Sequence, residues 1–530
     1  MPSENRHGTQ VADAIVLAQP HPKHLHFPSH STRLLMICVS IGRGRHRMMI
    51  AELEHLASQG VGLVELRLDY IRRAVNLGRL LESRKCPVIA TVRRPSDGGK
   101  WLRSEDERLT LLRTAIANGA DYVDLEHDIA GKVPRYGKTK RIVSYHNFAE
   151  TPANLEQIHQ SLAKLDPDVI KIATLANNPI DNIRILRLCR DSKIPTVAFC
   201  MGEMGVISRI LCGKFGSPWT YASLTEDRLL APGQMTLQQM VEEFRYDQIT
   251  SKTGIYGVIA DPVAQSLSPK VHNAMIRKAG QDLLYLPFRV SAANLDEFMA
   301  ACPGMDIRGL SVTTPHKEKI LKHLNVLDDS VAGIRAANTV VMKDGVAFGY
   351  NTDLEAALTV LAKKLEIDLT VPEPFAERRI LILGAGGIAR TLAWGLRRAG
   401  AFVTVSARDY RKSEALAQSL KVKSIDWPIR QNYPHDILIN CTSCGMFPNM
   451  DETPYEEGWF DKHTLVFETI YNPEQTLLVK HARAAGCDTL TGVDMFVHQA
   501  ARQFELFTGQ PADVDLMRFE VKRATSAARY

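Results

Sequence analysis

No run of 18 apolar residues occurs anywhere in this chain, which excludes a membrane-spanning helix and makes a membrane an unlooked-for partner. No long block of like charge occurs either. The formal net charge is only +6, from 65 Lys+Arg against 59 Asp+Glu, so nucleic acid is a poor default partner while small anions are allowed. Nine cysteines, an odd number scattered from Cys38 to Cys487, fit no disulfide framework. A reducing, cytoplasmic compartment is the reading that follows. The first 30 residues hold five of the 17 histidines but no compact apolar segment ahead of a small-residue cleavage site. Residues 1–31 are therefore expected to be a loose tail, with no address readable in them.

What is present is a globular composition, 45% hydrophobic and 23% charged, over 530 residues, enough for three or four domains. The first half repeats short β-branched runs: LLMICVS (34–40), GLVELRL (62–68), PVIATV (87–92), DYVDLE (121–126), RIVSYH (141–146), DVIKIAT (168–174), IPTVAFC (194–200) and SPWTYAS (217–223). Most gaps between them hold helix-patterned segments such as EDERLTLLRTAIANGA (105–120). Strands alternating with helices signal parallel βα units, and eight of them in about 220 residues predict an α/β fold with an N-terminal (β/α)8 TIM barrel. In such a barrel the site lies at the C-terminal strand ends, which singles out Glu65, Arg67, Asp69, Arg93, Glu126, His146, Lys171 and Arg209. Lys171 stands mid-strand where apolar residues belong, and a buried ammonium is costly unless paired. Alone it reads as half of an ion pair. His146, ending the preceding strand, puts a general acid/base beside the amine and favours imine chemistry on a ketone. Arg67, Arg93 and Arg209 would form a cationic rim for a carboxylate.

The motifs ELRLDY, TVRRPSDGG, SYHNFAETP, DVIKIAT, MGVISR and APGQ, in that order, resemble type I 3-dehydroquinate dehydratase over about residues 32–245. The resemblance implies that Lys171 forms an imine with the C3 ketone of 3-dehydroquinate. His146 would shuttle the C2 proton and the leaving hydroxyl in a syn elimination. It also implies that Arg209 holds the carboxylate, that Glu65, Arg67 and Arg93 contact the ring, and that Gln234 closes over it from a lid. Two positions depart from the family: Asp97 stands where a Glu usually orients the histidine, and Leu230 where the lid commonly offers a serine. A working but slower dehydratase is expected.

Periodicity lapses in FRYDQITSKTG and resumes at IYGVIA (255–260), so a boundary is placed near Ser251. Further on, RRILILGAGGIAR reads as strand, glycine turn and helix, with G-x-G-x-x-A at Gly384, Gly386 and Ala389 and with Ala385 and Gly387 between them. That arrangement sets a diphosphate on a helix N-terminus. After the next strand, where an NAD site would place an acid, stand Arg408, Arg411 and Lys412, which favours NADP even though Asp409 follows at once. The CTSC at 441–444 lacks a second pair, and no metal is expected.

Upstream, DPVAQSLSPKVHNAMI, GLSVTTPHKE, GIRAANTVV and GYNTD gather polar loops around a cleft. With INCTSCGM, ETIYNPEQTLL and GVDMFVHQAARQFELFTG they resemble shikimate dehydrogenase over about residues 254–515, and PNMDETP resembles the plant bifunctional enzymes. The resemblance implies that Ser266 and Ser268 bind the substrate carboxylate, that Thr313, Asn338, Asp353 and Gln499 bind ring hydroxyls, that Tyr471 is a further contact and that Gly492 lies at the cofactor. Lys317 and Asp353 would be the catalytic pair. Gln265, Leu267 and Ala407 depart from the family without removing a catalytic group.

The expected division is a barrel over 32–250, a substrate-binding domain over 251–365 and an NADP-binding Rossmann domain over 366–530 whose last helices return to the substrate lobe. The two activities are consecutive, 3-dehydroquinate to 3-dehydroshikimate to shikimate. A quinate/shikimate dehydrogenase with a weakened barrel is the alternative, and a quinate-sensing regulator a further one, against which the four retained catalytic groups argue. Oligomeric state is left open.

Overall fold

The computed structural model describes residues 36–82 and 84–525, and the expected tail at 1–31 lies outside them. The eight β-branched runs form β1 (Met36–Ile41), β2 (Leu63–Arg67), β3 (Val88–Thr91), β4 (Tyr122–Glu126), β5 (Lys140–Asn147), β6 (Val169–Leu175), β7 (Thr196–Met201) and β8 (Trp219–Ser223). They pair in parallel in the order β7-β6-β5-β4-β3-β2-β1-β8, with the short β9 (Met235–Thr236) beyond β8. The expected α/β barrel is thus a curled parallel sheet with one seam, between β7 and β8. The reason is local. The Cys200 N–H, which faces the seam, donates to Ser208 Oγ at 2.7 Å, and Thr220 Oγ1 donates to the Arg209 carbonyl at 2.7 Å. The Ser208 hydroxyl of the short helix Val206–Leu211 thus takes a β7 amide in place of a ladder partner, and the same helix ties down the Thr220 side chain of β8.

Side chains alternate across a strand, so each strand sends every second residue inward. The lowest inward layer is apolar: Cys38, Leu63, Ile89, Ile142, Val169, Val197 and Trp219, closed at the edge by Tyr122. Two residues further along each strand the next layer reads Ser40, Glu65, Thr91, Asp124, Ser144, Lys171, Phe199 and Tyr221, all buried. The apolar floor supports a polar layer, and that layer is where chemistry is placed.

The second half holds two six-stranded sheets. The first contains β10 (Gly254–Ala260), β11 (Leu283–Arg289), β12 (Ile307–Val312), β13 (Val326–Leu327), β14 (Thr339–Lys343) and β15 (Val346–Tyr350), in the mixed order β11-β10-β12-β14-β15-β13. The second contains β16 (Arg379–Leu383), β17 (Phe402–Ser406), β18 (Lys423–Ile425), β19 (Ile437–Asn440), β20 (Leu465–Glu468) and β21 (Asp488–Leu490). These are all parallel, in the order β18-β17-β16-β19-β20-β21, the doubly wound arrangement in which ligands bind where the strand order reverses, beside β16. The helix Gly492–Thr508 leaves this sheet and buries Val493, Phe496, Val497 and Phe504 against Tyr256 and Tyr285 of the other sheet and Val271 of the helix Ser268–Lys278. No helix among the described residues is long and apolar enough to cross a membrane.

Candidate active sites

In the barrel, Lys171 Nζ lies 3.0 Å from Asp124 Oδ2 and 3.7 Å from Glu65 Oε1, and 4.3 Å over the Tyr221 ring. The buried lysine is therefore flanked by two carboxylates, as electrostatics requires. Glu65 also accepts hydrogen bonds from Ser40 Oγ (2.6 Å) and Thr91 Oγ1 (2.8 Å). Burial works against its charge, but Lys171 and Arg67 hold its carboxyl below the usual range. Asp124 behaves likewise: Arg93 and Lys171 overcome its burial and hold it well below that range.

Of the three arginines expected to form a cationic rim, the structure leaves one. Arg67 is held bidentately by Asp69 (2.9 and 2.8 Å). Arg93 reaches Asp124 at 2.6 Å and Glu126 at 2.8 Å. Glu126 in turn takes Arg108 at 2.7 Å. Arg209, 1% exposed, has no carboxylate partner among the described residues; it stacks 4.3 Å over Phe199 and donates to the Pro232 carbonyl at 3.3 Å, with Nε left unpartnered. Burial pushes its guanidinium down to about 10. The rim is a single free cation because Arg67 is taken by Asp69 of the turn after β2 and Arg93 by Asp124 and Glu126 of β4.

His146 and Lys171 line one cavity with Glu65, Arg67, Arg93, Asp97, Arg209, Leu230 and Gln234. His146 Nδ1 stands 3.8 Å from Asp97 Oδ1, beyond hydrogen-bond reach, and has no other partner. Burial and Arg93 push the imidazole down to about 4, so it is neutral at pH 7. Above it, Gln234 Oε1 accepts the Leu230 N–H at 2.8 Å, folding the lid on itself. Gly233, at φ +68, packs so closely on the Gly202 carbonyl that a Cβ would lie 2.2 Å away.

In the second half, Ser266, Ser268, Thr313, Lys317, Asn338, Asp353, Tyr471, Gly492 and Gln499, scattered over more than 200 residues of sequence, line one cleft between the two sheets. Lys317 Nζ donates to Asp353 Oδ2 at 2.6 Å. The Asn338 amide is anchored: its Oδ1 accepts the Thr352 N–H (2.8 Å) and its Nδ2 donates to Thr352 Oγ1 (3.0 Å), leaving one N–H for the cleft.

The residues present fit a dinucleotide. Gly384 turns at φ +113, and a Cβ there would meet the Cys441 carbonyl at 2.8 Å, whereas Cβ atoms on Gly386 and Gly387 would meet nothing within 4 Å. That open space lies ahead of the helix Gly387–Arg398, whose first amides face it, while Ala389 is fully buried behind. Ala385 is half-buried in the same turn, and Arg408, Arg411 and Lys412 are exposed past β17, Lys412 lying 3.8 Å from Asp409. Cys441 and Cys444 remain unpaired thiols, Cys444 donating to Glu452 at 3.4 Å. Among the described residues no group of three or more His, Cys, Asp or Glu is placed to hold a metal.

Sequence reasoning passed over Asp124, Arg108, Ser144 and Tyr221 in the barrel, and Ser311 and Gln503 in the cleft. Asp124 had a signal: in DYVDLE it shares a strand face with Glu126.

The family described as type I 3-dehydroquinase matches residues 37–251, the shikimate dehydrogenase substrate binding domain residues 258–340, and the shikimate 5'-dehydrogenase C-terminal domain residues 492–521. The bifunctional 3-dehydroquinate dehydratase/shikimate dehydrogenase, chloroplastic, of Arabidopsis thaliana is 34% identical over 505 residues, covering 91% of this chain and 83% of that protein. The shikimate dehydrogenase (NADP(+)) of Moorella thermoacetica is 36% identical over 292 residues, 53% of this chain and 97% of its own. A solved shikimate dehydrogenase in complex with NADP+ superposes with a TM-score of 0.49 at 31% identity, covering 52% of this chain and 98% of that one.

Proposed function

This chain belongs to the family of bifunctional 3-dehydroquinate dehydratase/shikimate dehydrogenases, and from that premise we propose how its residues divide two consecutive reactions of the shikimate pathway. The enzyme dehydrates 3-dehydroquinate to 3-dehydroshikimate and reduces that product to shikimate with NADPH. The reading of its sites rests on one observation in each: the buried Lys171 between two carboxylates, and the Lys317–Asp353 pair in a cleft of neutral hydroxyls and amides.

In the barrel, the Lys171 ammonium sheds a proton to free its lone pair, Nζ attacks the C3 carbonyl, and the two protons lost from nitrogen leave with the carbonyl oxygen as water, so that a protonated imine remains. His146, neutral at working pH, takes the C2 proton; the electron pair runs to the iminium nitrogen. The same imidazole returns that proton to the departing C1 hydroxyl, and water hydrolyses the imine to free the amine. Arg209 pairs with the ring carboxylate, the bidentate partner its burial demands. Glu65, Arg67 and Arg93 set the ring and the amine, and Gln234 closes the lid.

In the second half, Ser266 and Ser268 bind the carboxylate, and Thr313, Asn338, Gln499 and Tyr471 orient the ring. Gly384, Ala385, Gly386, Gly387, Ala389 and Gly492 would receive the diphosphate and nicotinamide ends of NADP, and Arg408, Arg411 and Lys412 its 2'-phosphate. NADPH supplies the hydride when bound. Lys317, held by Asp353, gives a proton to the C3 oxygen as negative charge develops on it. The division of the chain is proposed as 32–250, 251–365 and 366–530. Nine unpaired cysteines support a reducing, cytoplasmic location, in contrast to the compartment in the plant relative's name.

Two measurements test the whole. NADPH should be consumed from 3-dehydroquinate and from 3-dehydroshikimate with no other enzyme added. Borohydride with 3-dehydroquinate should add ligand mass to Lys171. Failure of the first substrate alone would confine activity to the second half, and failure of both would revive the regulator.

A further inference from the structure

Glu468 ends β20 opposite Asn440 at the end of β19, and its side chain is completely buried. Every contact it makes is as an acceptor. Asn440 Nδ2 donates to both oxygens (3.0 and 3.1 Å), the Ile470 N–H donates to Oε1 (3.0 Å) and Thr476 Oγ1 donates to Oε2 (2.9 Å). Among the described residues it forms no ion pair. Each donor belongs to a different stretch of chain. Asn440 steers the turn after β19, its Oδ1 accepting the Thr442 N–H at 2.9 Å and its carbonyl accepting Thr469 Oγ1 at 2.7 Å. Ile470 lies between Thr469 and Tyr471, both of which line the cleft. Thr476 caps the helix Leu477–Ala484.

We propose that Glu468 is a positioning residue for the reduction: its ionised carboxylate gathers these three segments and thereby fixes the Thr469–Tyr471 wall against which the substrate ring is held. This rests on the assignment of the cleft given above. An ionised carboxylate has acceptor sites for all of these donors, whereas a protonated one loses an acceptor site: a proton on Oε1 would meet only the Ile470 and Asn440 N–H groups, and a proton on Oε2 is accommodated only if the Thr476 hydroxyl turns from donor to acceptor. Burial pushes the carboxyl up to about 7, so it changes state near neutral pH. The titratable group interacting with it from the neighbouring turn is the Cys441 thiol, which burial and Glu468 push up and keep neutral there.

The experiment compares the intact enzyme with Glu468→Gln and Glu468→Asp by steady-state reduction of 3-dehydroshikimate from about pH 6 to 8, with NADPH binding followed by fluorescence. In the parent enzyme kcat/KM should fall below an inflection near 7. Glu468→Gln, which puts an amide N–H toward the donors, should raise KM about tenfold with little change in kcat or NADPH affinity, and should lose the inflection. Glu468→Asp should keep a carboxylate inflection and recover part of the KM. A flat profile in the parent enzyme, which needs no variant to fold, or a parent-like KM in a Glu468→Gln that binds NADPH, would overturn the proposal. A parent enzyme with no turnover of 3-dehydroshikimate would instead overturn the cleft assignment on which it rests.

Discussion

Asp97 Oδ1 stops 3.8 Å short of His146 Nδ1, and the imidazole nitrogen is left without a hydrogen bond. The aspartate is pinned from behind by Arg94 Nε at 2.5 Å and Ser96 Oγ at 2.9 Å, so it does not swing forward to close the distance. One methylene separates this arrangement from a histidine whose tautomer and tilt are fixed.

Asp97→Glu should supply that methylene. The dehydratase kcat is expected to rise about threefold to tenfold as the base becomes oriented. A closer carboxylate also favours the imidazolium, so the acid limb of the kcat profile should move up from the neighbourhood of 4. Unchanged kcat and limb would show that the carboxylate does not orient this histidine.

Arg209→Leu should separate binding from stability. Loss of the free guanidinium should raise KM for 3-dehydroquinate about 100-fold. Because the parent arginine is buried without a carboxylate, the ligand-free variant should melt no lower than the parent, and even higher. A large fall in Tm would mean that Arg209 serves the fold.

Lys171→Met should abolish the borohydride adduct and lower dehydratase turnover by at least about 10⁴-fold, with shikimate dehydrogenase activity on the same chain as an internal control. Mass added to the variant would place the imine elsewhere.

Lys317→Ala should bind NADPH within about twofold of the parent yet reduce 3-dehydroshikimate about 10²–10⁴-fold more slowly. Turnover near the parent's would remove the lysine from the proton transfer.

The histidine also sets a stability trend. In the fold His146 protonates only near 4, but in the unfolded chain near 6.5. Between those values the unfolded chain binds the extra proton, so this contribution to stability is intact above about 6.5 and lost as pH falls toward 4. Comparing denaturant midpoints of the parent and His146→Gln at about pH 7 and 5 should show the parent losing more.

The strand ladder was legible because β-branched runs fix it: each of the eight barrel strands lies within two residues of its expected span. Lys171 and His146 stood out as polar residues in apolar runs. The arginine rim misled, because nothing in RLDY or DYVDLE tells that Arg67 would be taken by Asp69 and Arg93 by Asp124. Glu468 was silent for a similar reason: Asn440 lies 28 residues away, and only the pairing of β19 with β20 makes them neighbours. Local pattern reveals which groups are unusual, and tertiary pairing decides which of them stay free.

The seam between β7 and β8 makes the barrel an unclosed hoop, with two lips instead of a continuous band. Resistance to solvent exchange should therefore be graded around the circumference: highest at β3 and β4, opposite the gap, and lowest at the lips, where the Cys200 amide of β7 is guarded by one hydroxyl and β8 has only the two-residue β9 beside it. Arg209 sits on that compliant side. The part of the wall that gives most easily is the part that carries this unpaired guanidinium, so a carboxylate arriving there would act as a rivet, tightening the hoop from the inside.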